Sequence, residues 1–393
     1  MRPRLNPHGH RGILRRPREV VIELVPTILP PDELRRRQRG LPLVLTPTTP
    51  PEPDQVLAHI AERKLAIRGA LTEHGAVLFR HCGLEGVGHF EALMAALEIR
   101  STDPEHYYGE VVRAGTGALT FEPTKMPPDT VIAPHNECAF WFEQPLFIAF
   151  YCEETQARFG QTPLIDCAAV AAAFSSTVRE KLAASDVISE YVYDNVEANV
   201  ELVKGQKRNS WQNAFRAQTP AEVEARLSHR EDVSLHWRKG GRLHLQIRST
   251  PFARHPKSRV PCFRALRAFD FPNLQYMLSQ WAKGQLPMAK RLAAKGVAGL
   301  GAWLATSGVV EHQRYAWKTS LEGPSLTPSE RAEVTEAIFA HASVFQWQSG
   351  DVLVVDNVKT AHGRMNIDAP RTLHVYMSED VDQWTFMRPR DST

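Results

Sequence analysis

Pro134-His135-Asn136-Glu137 and the distant Asp356-Asn357-Val358-Lys359-Thr360-Ala361-His362-Gly363-Arg364 are the segments from which the architecture of this chain is inferred. His135 and Glu137 stand two residues apart, and side chains on a strand alternate between faces. On a strand, the imidazole and the carboxylate therefore aim at one point. Alone the pair carries little weight, because exposed histidines and glutamates are mostly surface polar residues.

The surroundings change that reading. Gln144-Pro145 opens the apolar, aromatic run Leu146-Phe147-Ile148-Ala149-Phe150-Tyr151-Cys152, which has the composition of a buried strand. Downstream, the turn signal Ser349-Gly350-Asp351 precedes Val352-Leu353-Val354-Val355, and Arg371-Thr372-Leu373-His374-Val375-Tyr376-Met377 follows as another strand. His362 would bring a third donor from a separate strand. Two histidines and one carboxylate on one face of an octahedral ion make the facial triad of non-haem iron(II) oxygenases, with positions left open for other ligands.

Taken together, these residues resemble the taurine dioxygenase and clavaminate synthase (TauD/TfdA) superfamily of iron(II) and 2-oxoglutarate dependent oxygenases. The resemblance rests on His135-Asn136-Glu137, Phe159-Gly160-Gln161-Thr162, Gly350-Asp351, Asp356-Asn357, His362-Gly363-Arg364 and Arg371. Within the superfamily the His-Asn-Glu form is most similar to the syringomycin-type aspartyl hydroxylases of peptide natural-product pathways. It implies a mixed α/β chain with a mainly β core, a double-stranded β-helix (jelly roll), flanking helices and a helical insertion.

The resemblance also implies cofactors and roles. Fe(II) is held by His135, Glu137 and His362, with 2-oxoglutarate and O2 as cosubstrates. Arg371 grips the distal carboxylate of 2-oxoglutarate, a task for which a guanidinium fork is well shaped, and Thr162 supports the same carboxylate. Arg113, Thr124 and Arg364 are candidate substrate contacts, Arg364 reading equally well as a partner in a rim ion pair. The implied reaction is hydroxylation of an unactivated carbon in an amino acid, free or tethered to a carrier protein. Glu137 supplies a carboxylate where related halogenases leave room for chloride. Desaturation or ring closure at the same centre is the runner-up, and a non-catalytic metal- or ligand-binding barrel is the alternative of another class.

Composition is that of a globular protein, with 43% hydrophobic and 23% charged residues in 393. A net charge of +3 from 47 basic and 44 acidic residues calls for neither nucleic acid nor membrane as partner. The odd set Cys82, Cys138, Cys152, Cys167 and Cys262 reads as reduced core thiols. The longest apolar candidate for a membrane span, Val297 to Val310, is interrupted by Gly299, Gly301 and Gly308, and no secretory signal core is seen near Met1. A cytoplasmic enzyme is the expectation, with its oligomeric state open.

Residues 1–53 are read as a basic arm followed by a Pro-rich linker, and 54–393 as one oxygenase domain. Asp54 is the expected cap of a helix carrying Val56, Ile60, Ile67 and Leu71 to a stop at Gly75. A further helix is expected over 88–97, and Asp166 should cap one whose stripe is Val170, Phe174, Val178 and Leu182. Thr219-Pro220-Ala221-Glu222 and Thr327-Pro328-Ser329-Glu330 are capping boxes with proline at the first helical position. The insertion near 276–317 reads as a lid or an oligomer contact.

Overall fold

A computed structural model of the chain describes residues 23–37, 40–101, 115–123, 128, 131–139, 143–196, 201–203, 206–207, 210–269, 271–284, 317–378 and 380–382. Strands β1 (Leu24–Pro26), β2 (Leu34–Arg36) and β3 (Leu43–Pro47) precede helix α1 (Pro53–His74), β4 (Ala76–Phe79) and α2 (Gly86–Ala96). Next come β5 (Thr120–Phe121), β6 (Ile132–His135), β7 (Glu143–Pro145), β8 (Phe147–Thr155) and β9 (Thr162–Asp166), then α3 (Cys167–Ala173), α4 (Ser176–Ala183) and β10 (Asp186–Tyr193). The middle of the chain holds β11 (Glu201–Val203), β12 (Gln206–Lys207), α5 (Trp211–Phe215), α6 (Pro220–Leu227), β13 (Val233–Arg238), β14 (Arg242–Ser249), β15 (Phe252–Arg254), β16 (Pro261–Phe263), a 3-10 turn at Leu266–Ala268 and α7 (Phe271–Ala282). Last are β17 (Trp317–Glu322), α8 (Pro328–Ala340), β18 (Ala342–Phe345), β19 (Val352–Asp356), β20 (Thr360–Arg364), β21 (Arg371–Met377) and β22 (Asp380–Asp382).

Two large sheets carry the fold: seven strands in the order β1-β3-β4-β19-β8-β21-β5, and five in the order β2-β18-β9-β20-β6. The period-2 alternation of the apolar strands decides how they stack. Phe147, Ala149 and Tyr151 of β8, with Val352 and Val354 of β19, pack against Val56, Ile60 and Leu71 of α1 and Phe90, Leu93 and Met94 of α2. The intervening Ile148, Cys152, Leu353 and Val355 face the other way, into a core shared with Leu164 of β9 and Phe345 of β18. On its outer face the five-stranded sheet is covered by α3, α4, α7 and α8, through Val170, Val178, Leu278 and Ile338 among others. The result is a mixed α/β architecture rich in sheet, layered helix, sheet, sheet, helix. A separate four-stranded sheet, β13-β14-β10-β17, adjoins α5 and α6.

Strands β1, β2 and β3, placed by the sequence reading in the arm and linker, join both large sheets: β1 as the edge of one with β3 beside it, and β2 as the edge of the other. Their polar and proline residues mask the signal, because an edge strand needs ladder partners and not a continuous apolar run. Arg80, wholly buried after β4, joins these layers through a fork onto Asp351 (3.0 and 2.7 Å) and a bond to Glu33 (2.8 Å).

Two helix boundaries also differ from expectation. The cap position of α1 is Glu52, with Pro53 opening the helix and Asp54 inside its first turn. The stripe after Asp166 is split, with α3 ending at Ala173, Phe174 extended, and Ser175 capping α4, although Val170, Phe174, Val178 and Leu182 are all buried. A serine that takes the Val178 amide restarts the helix in a new direction while keeping the apolar face continuous. The box at Thr327 is reciprocal, its hydroxyl accepting from Glu330 N and the Glu330 carboxylate accepting from Thr327 N. Thr219 caps α6, its hydroxyl accepting from Glu222 N, but the expected box is half formed because the Glu222 carboxylate accepts from Gln218 N and not from Thr219 N. Of the 276–317 segment, residues 285–316 lie outside the described residues.

Candidate active site

β6 is the edge of the five-stranded sheet and β20 its neighbour, with His135 directly opposite His362. The pairing holds the two imidazoles 4.7 Å apart, and the His362 ring lies 5.1 Å from Phe150 of the facing sheet. Gly363 makes this approach possible: a Cβ there would stand 2.6 Å from the Ile132 carbonyl oxygen, inside contact distance of the β6 backbone. The ladder shifts register at this glycine.

Glu137 reaches the same point by a route the sequence reading did not foresee. β6 ends at His135, and Glu137 begins the turn 137–139, in which Cys138 takes a left-handed φ of 55°. The carboxylate therefore converges through a turn and not by alternation along a strand. Its Oε2 lies 3.3 Å from His135 Nε2 and 3.8 Å from His362 Nε2.

The turn is held from β19 to β20 by Asn357, which is fully buried. Its Oδ1 accepts from Glu137 N (2.7 Å), and its Nδ2 donates to Glu137 O and Pro145 O (2.9 Å each). Asn136 Nδ2 in turn donates to Asn357 O at 2.8 Å. Asp356 acts locally, accepting from Val358 N and Lys359 N, and also bonds buried His255 at 2.8 Å. His255 Nδ1 accepts from Lys257 N and Ser258 N, so its proton sits on Nε2 and is donated to Asp356.

A second group lies where β21 begins. Arg371 donates to Gly160 O, and Gly160, at φ 91°, leaves room for the guanidinium: a Cβ would come within 3.1 Å of Arg371 Nη1. Asp368 braces the turn by accepting from Phe159 N (2.9 Å). Burial lowers the Arg371 pKa to about 10, and neighbouring Arg364 adds repulsion. Arg364 is itself lowered by burial. Thr162 is buried on β9 and its hydroxyl accepts from Trp347 Nε1 at 2.9 Å. Arg113 and Thr124 lie outside the described residues.

The profile of the taurine catabolism dioxygenase TauD, TfdA family matches residues 45–377. The chain belongs to this family. As a TauD, TfdA family member it is an enzyme, a dioxygenase using iron(II), 2-oxoglutarate and O2. Among curated proteins it is similar to the dapdiamide synthesis protein DdaC of Enterobacter agglomerans, 26% identical over 314 residues, covering 79% of this chain and 84% of DdaC. Among solved structures it is similar to PvcB of Pseudomonas aeruginosa (14% identity, 93% of this chain and 94% of that one, TM-score 0.48). A taurine dioxygenase from Burkholderia xenovorans is also similar (13% identity, 92% and 91%, TM-score 0.44). No helix among the described residues is long and apolar enough to cross a membrane.

His135, Glu137 and His362 form a cluster that could hold the metal this TauD, TfdA family uses. One atom each from His135, Glu137 and His362 lies within 4.8 Å of the others. Ligands about 2.1 Å from an ion and at right angles stand about 3 Å apart, close to the 3.3 Å between His135 and Glu137. His135 Nδ1 donates to Ala133 O at 2.8 Å, which puts its proton there and leaves the Nε2 lone pair for a cation. The sequence had pointed to the donors themselves. It had no signal for Trp347, His255 or the long-range use of Asn357, since each depends on a partner far along the chain.

Proposed function

We propose that the protein hydroxylates an unactivated carbon of an amino acid, free or carrier-tethered, in natural-product biosynthesis, with iron(II) bound by His135, Glu137 and His362. The observation that carries this reading is the convergence of those three donors, within 4.8 Å, between two facing sheets. Iron(II) with 2-oxoglutarate and O2 supplies the oxidising power to break such a C–H bond. The chain's own residues orient the reactants. Arg371 presents a fork to the distal carboxylate of 2-oxoglutarate, with the charge of Arg364 nearby. Thr162, whose oxygen is taken by Trp347, keeps its hydroxyl proton to donate to that carboxylate.

The name of DdaC, a dapdiamide synthesis protein, supports the natural-product setting. Two sheets enclosing one core support reading the fold as a double-stranded β-helix serving a single oxygenase domain. A cytoplasmic enzyme with a small-molecule or carrier-bound substrate follows from the same reading.

The test is anaerobic reconstitution of wild type and the His135→Ala, Glu137→Ala and His362→Ala variants, measuring bound iron and 2-oxoglutarate consumption. Each variant is expected to lose both, and His362→Ala with full iron-dependent turnover would remove the third ligand from the assignment. With labelled O2 and excess chloride, the product should gain one labelled oxygen. A chlorinated product would overturn hydroxylation, and loss of two hydrogens without label would replace it by desaturation.

A further inference from the structure

His255 is fully buried at the start of the turn that joins β15 to β16, and the reaction as proposed leaves it unused. Its position is fixed from within that turn. The His255 backbone donates to Val260 O and accepts from Arg259 N, at 2.9 Å each. Its Nδ1 accepts from Lys257 N at 3.2 Å and from Ser258 N at 3.0 Å. β16 anchors the turn, because Cys262 and Phe263 pack into the core that holds Val170 of α3. The remaining ring nitrogen, Nε2, reaches Asp356, 101 residues further along the chain, at 2.8 Å.

We infer that His255 is a positioning residue of the iron centre, acting through Asp356 and Asn357 on Glu137 and His362; this inference rests on the iron centre proposed above. Asp356 is a fully buried carboxylate whose two oxygens have separate tasks. Oδ1 accepts from Val358 N and Lys359 N, which shapes the turn between β19 and β20. Oδ2 takes its hydrogen bond from His255. A buried carboxylate oxygen without a donor is costly, so without His255 the carboxylate must rotate to find one, and Oδ1 then leaves the two amides. The turn it shapes carries Asn357, which holds both backbone groups of Glu137, and runs directly into β20 with His362. Two of the three proposed metal ligands therefore depend on a single imidazole N–H. The neutral ring serves this purpose: with two amides aimed at Nδ1, the proton has its place on Nε2.

The experiment compares the full chain with variants that separate the bond from the turn. His255→Asn keeps a carbonyl oxygen for the Lys257 and Ser258 amides but is too short to reach Asp356. His255→Gln sets an N–H near the place of Nε2 and keeps the bond to Asp356. Asp356→Asn keeps Oδ1 for the turn between β19 and β20 but presents N–H groups to the ring, cutting the same bond from the other side. In chelator competition under anaerobic conditions, His255→Asn and Asp356→Asn should each weaken Fe(II) binding about tenfold, the effect of losing a group that orients a ligand. His255→Gln should weaken it by no more than about threefold. The double variant of His255→Asn with Asp356→Asn should bind no more weakly than the weaker single variant, because both cut one bond. Nitrogen-15 NMR of the metal-free protein should place the His255 proton on Nε2. A role in stability alone would lower the denaturation midpoint of His255→Asn and leave its Fe(II) affinity unchanged, and that result overturns the inference. So do additive losses in the double variant, a His255→Gln protein as weak as His255→Asn, or a proton on Nδ1. Should His255→Asn fail to fold, Asp356→Asn decides, an unchanged Fe(II) affinity again overturning the inference. Wild type that binds no Fe(II) would overturn the iron centre and this inference together.

Discussion

At the scale of single residues, the proposed function separates groups that bind from groups that hold binders in place. Arg371 is proposed to be of the first kind. Arg371→Lys keeps the charge and loses the fork, so the apparent KM for 2-oxoglutarate should rise about tenfold or more, while that for the prime substrate holds. Steady-state titration of each against the other checks this, and an unchanged 2-oxoglutarate dependence would take Arg371 out of the cosubstrate site. Asn357 is of the second kind, since its amide pairs with both backbone groups of Glu137. Asn357→Ala should weaken iron binding by about ten- to a hundredfold, the usual effect of removing a partner that orients a ligand. Competition with a chelator measures this directly, and undiminished iron affinity would mean that the turn holds Glu137 unaided.

At the scale of elements, the approach of β6 to β20 is the critical contact. Gly363→Ala would set a methyl 2.6 Å from the Ile132 carbonyl, a backbone atom that cannot swing away. β6 must shift, carrying His135 with it, so iron affinity should fall while the circular-dichroism spectrum stays native. Normal iron affinity would show that the edge strand yields without moving the ligand. Thr327→Ala gives the contrasting case. Loss of the reciprocal cap on α8 should cost about 1 kcal/mol of stability, seen as a lower denaturation midpoint, with iron binding unaffected. That cap, like those at Thr219 and Asp166, was legible in the sequence because capping involves only neighbours three residues apart. The break between α3 and α4 was not, because the apolar stripe runs across it unchanged.

At the scale of the whole molecule, burial governs the thiols. It pushes Cys82, Cys152 and Cys167 up to about 12 and Cys262 well above the usual range. Between pH 9 and 10 these thiols hold their protons in the folded chain and lose them in the unfolded one. The folded state then binds more protons, so stability falls as pH rises through that window. Arg264 and Arg371, lowered to about 10, act in the opposite sense only above it. Denaturation midpoints at pH 8, 9 and 10 should decline in that order, and alkylation of native protein at pH 8 should label half-buried Cys138 ahead of the four buried thiols. Flat midpoints, or equal labelling, would contradict this burial. What the sequence by itself determined were the apolar strands β8, β19 and β21, the helix caps at Asp166, Thr219 and Thr327 and the family, all carried by patterns a few residues long. What only the tertiary structure decided was where these patterns meet. Glu137 turns toward the histidines because Asn357, 220 residues away, holds its backbone. Strands β1, β2 and β3 form because the two large sheets are there to accept them. The physical reason is that hydrogen-bond ladders and packed faces join residues remote in the chain, and such pairings leave no period in the sequence.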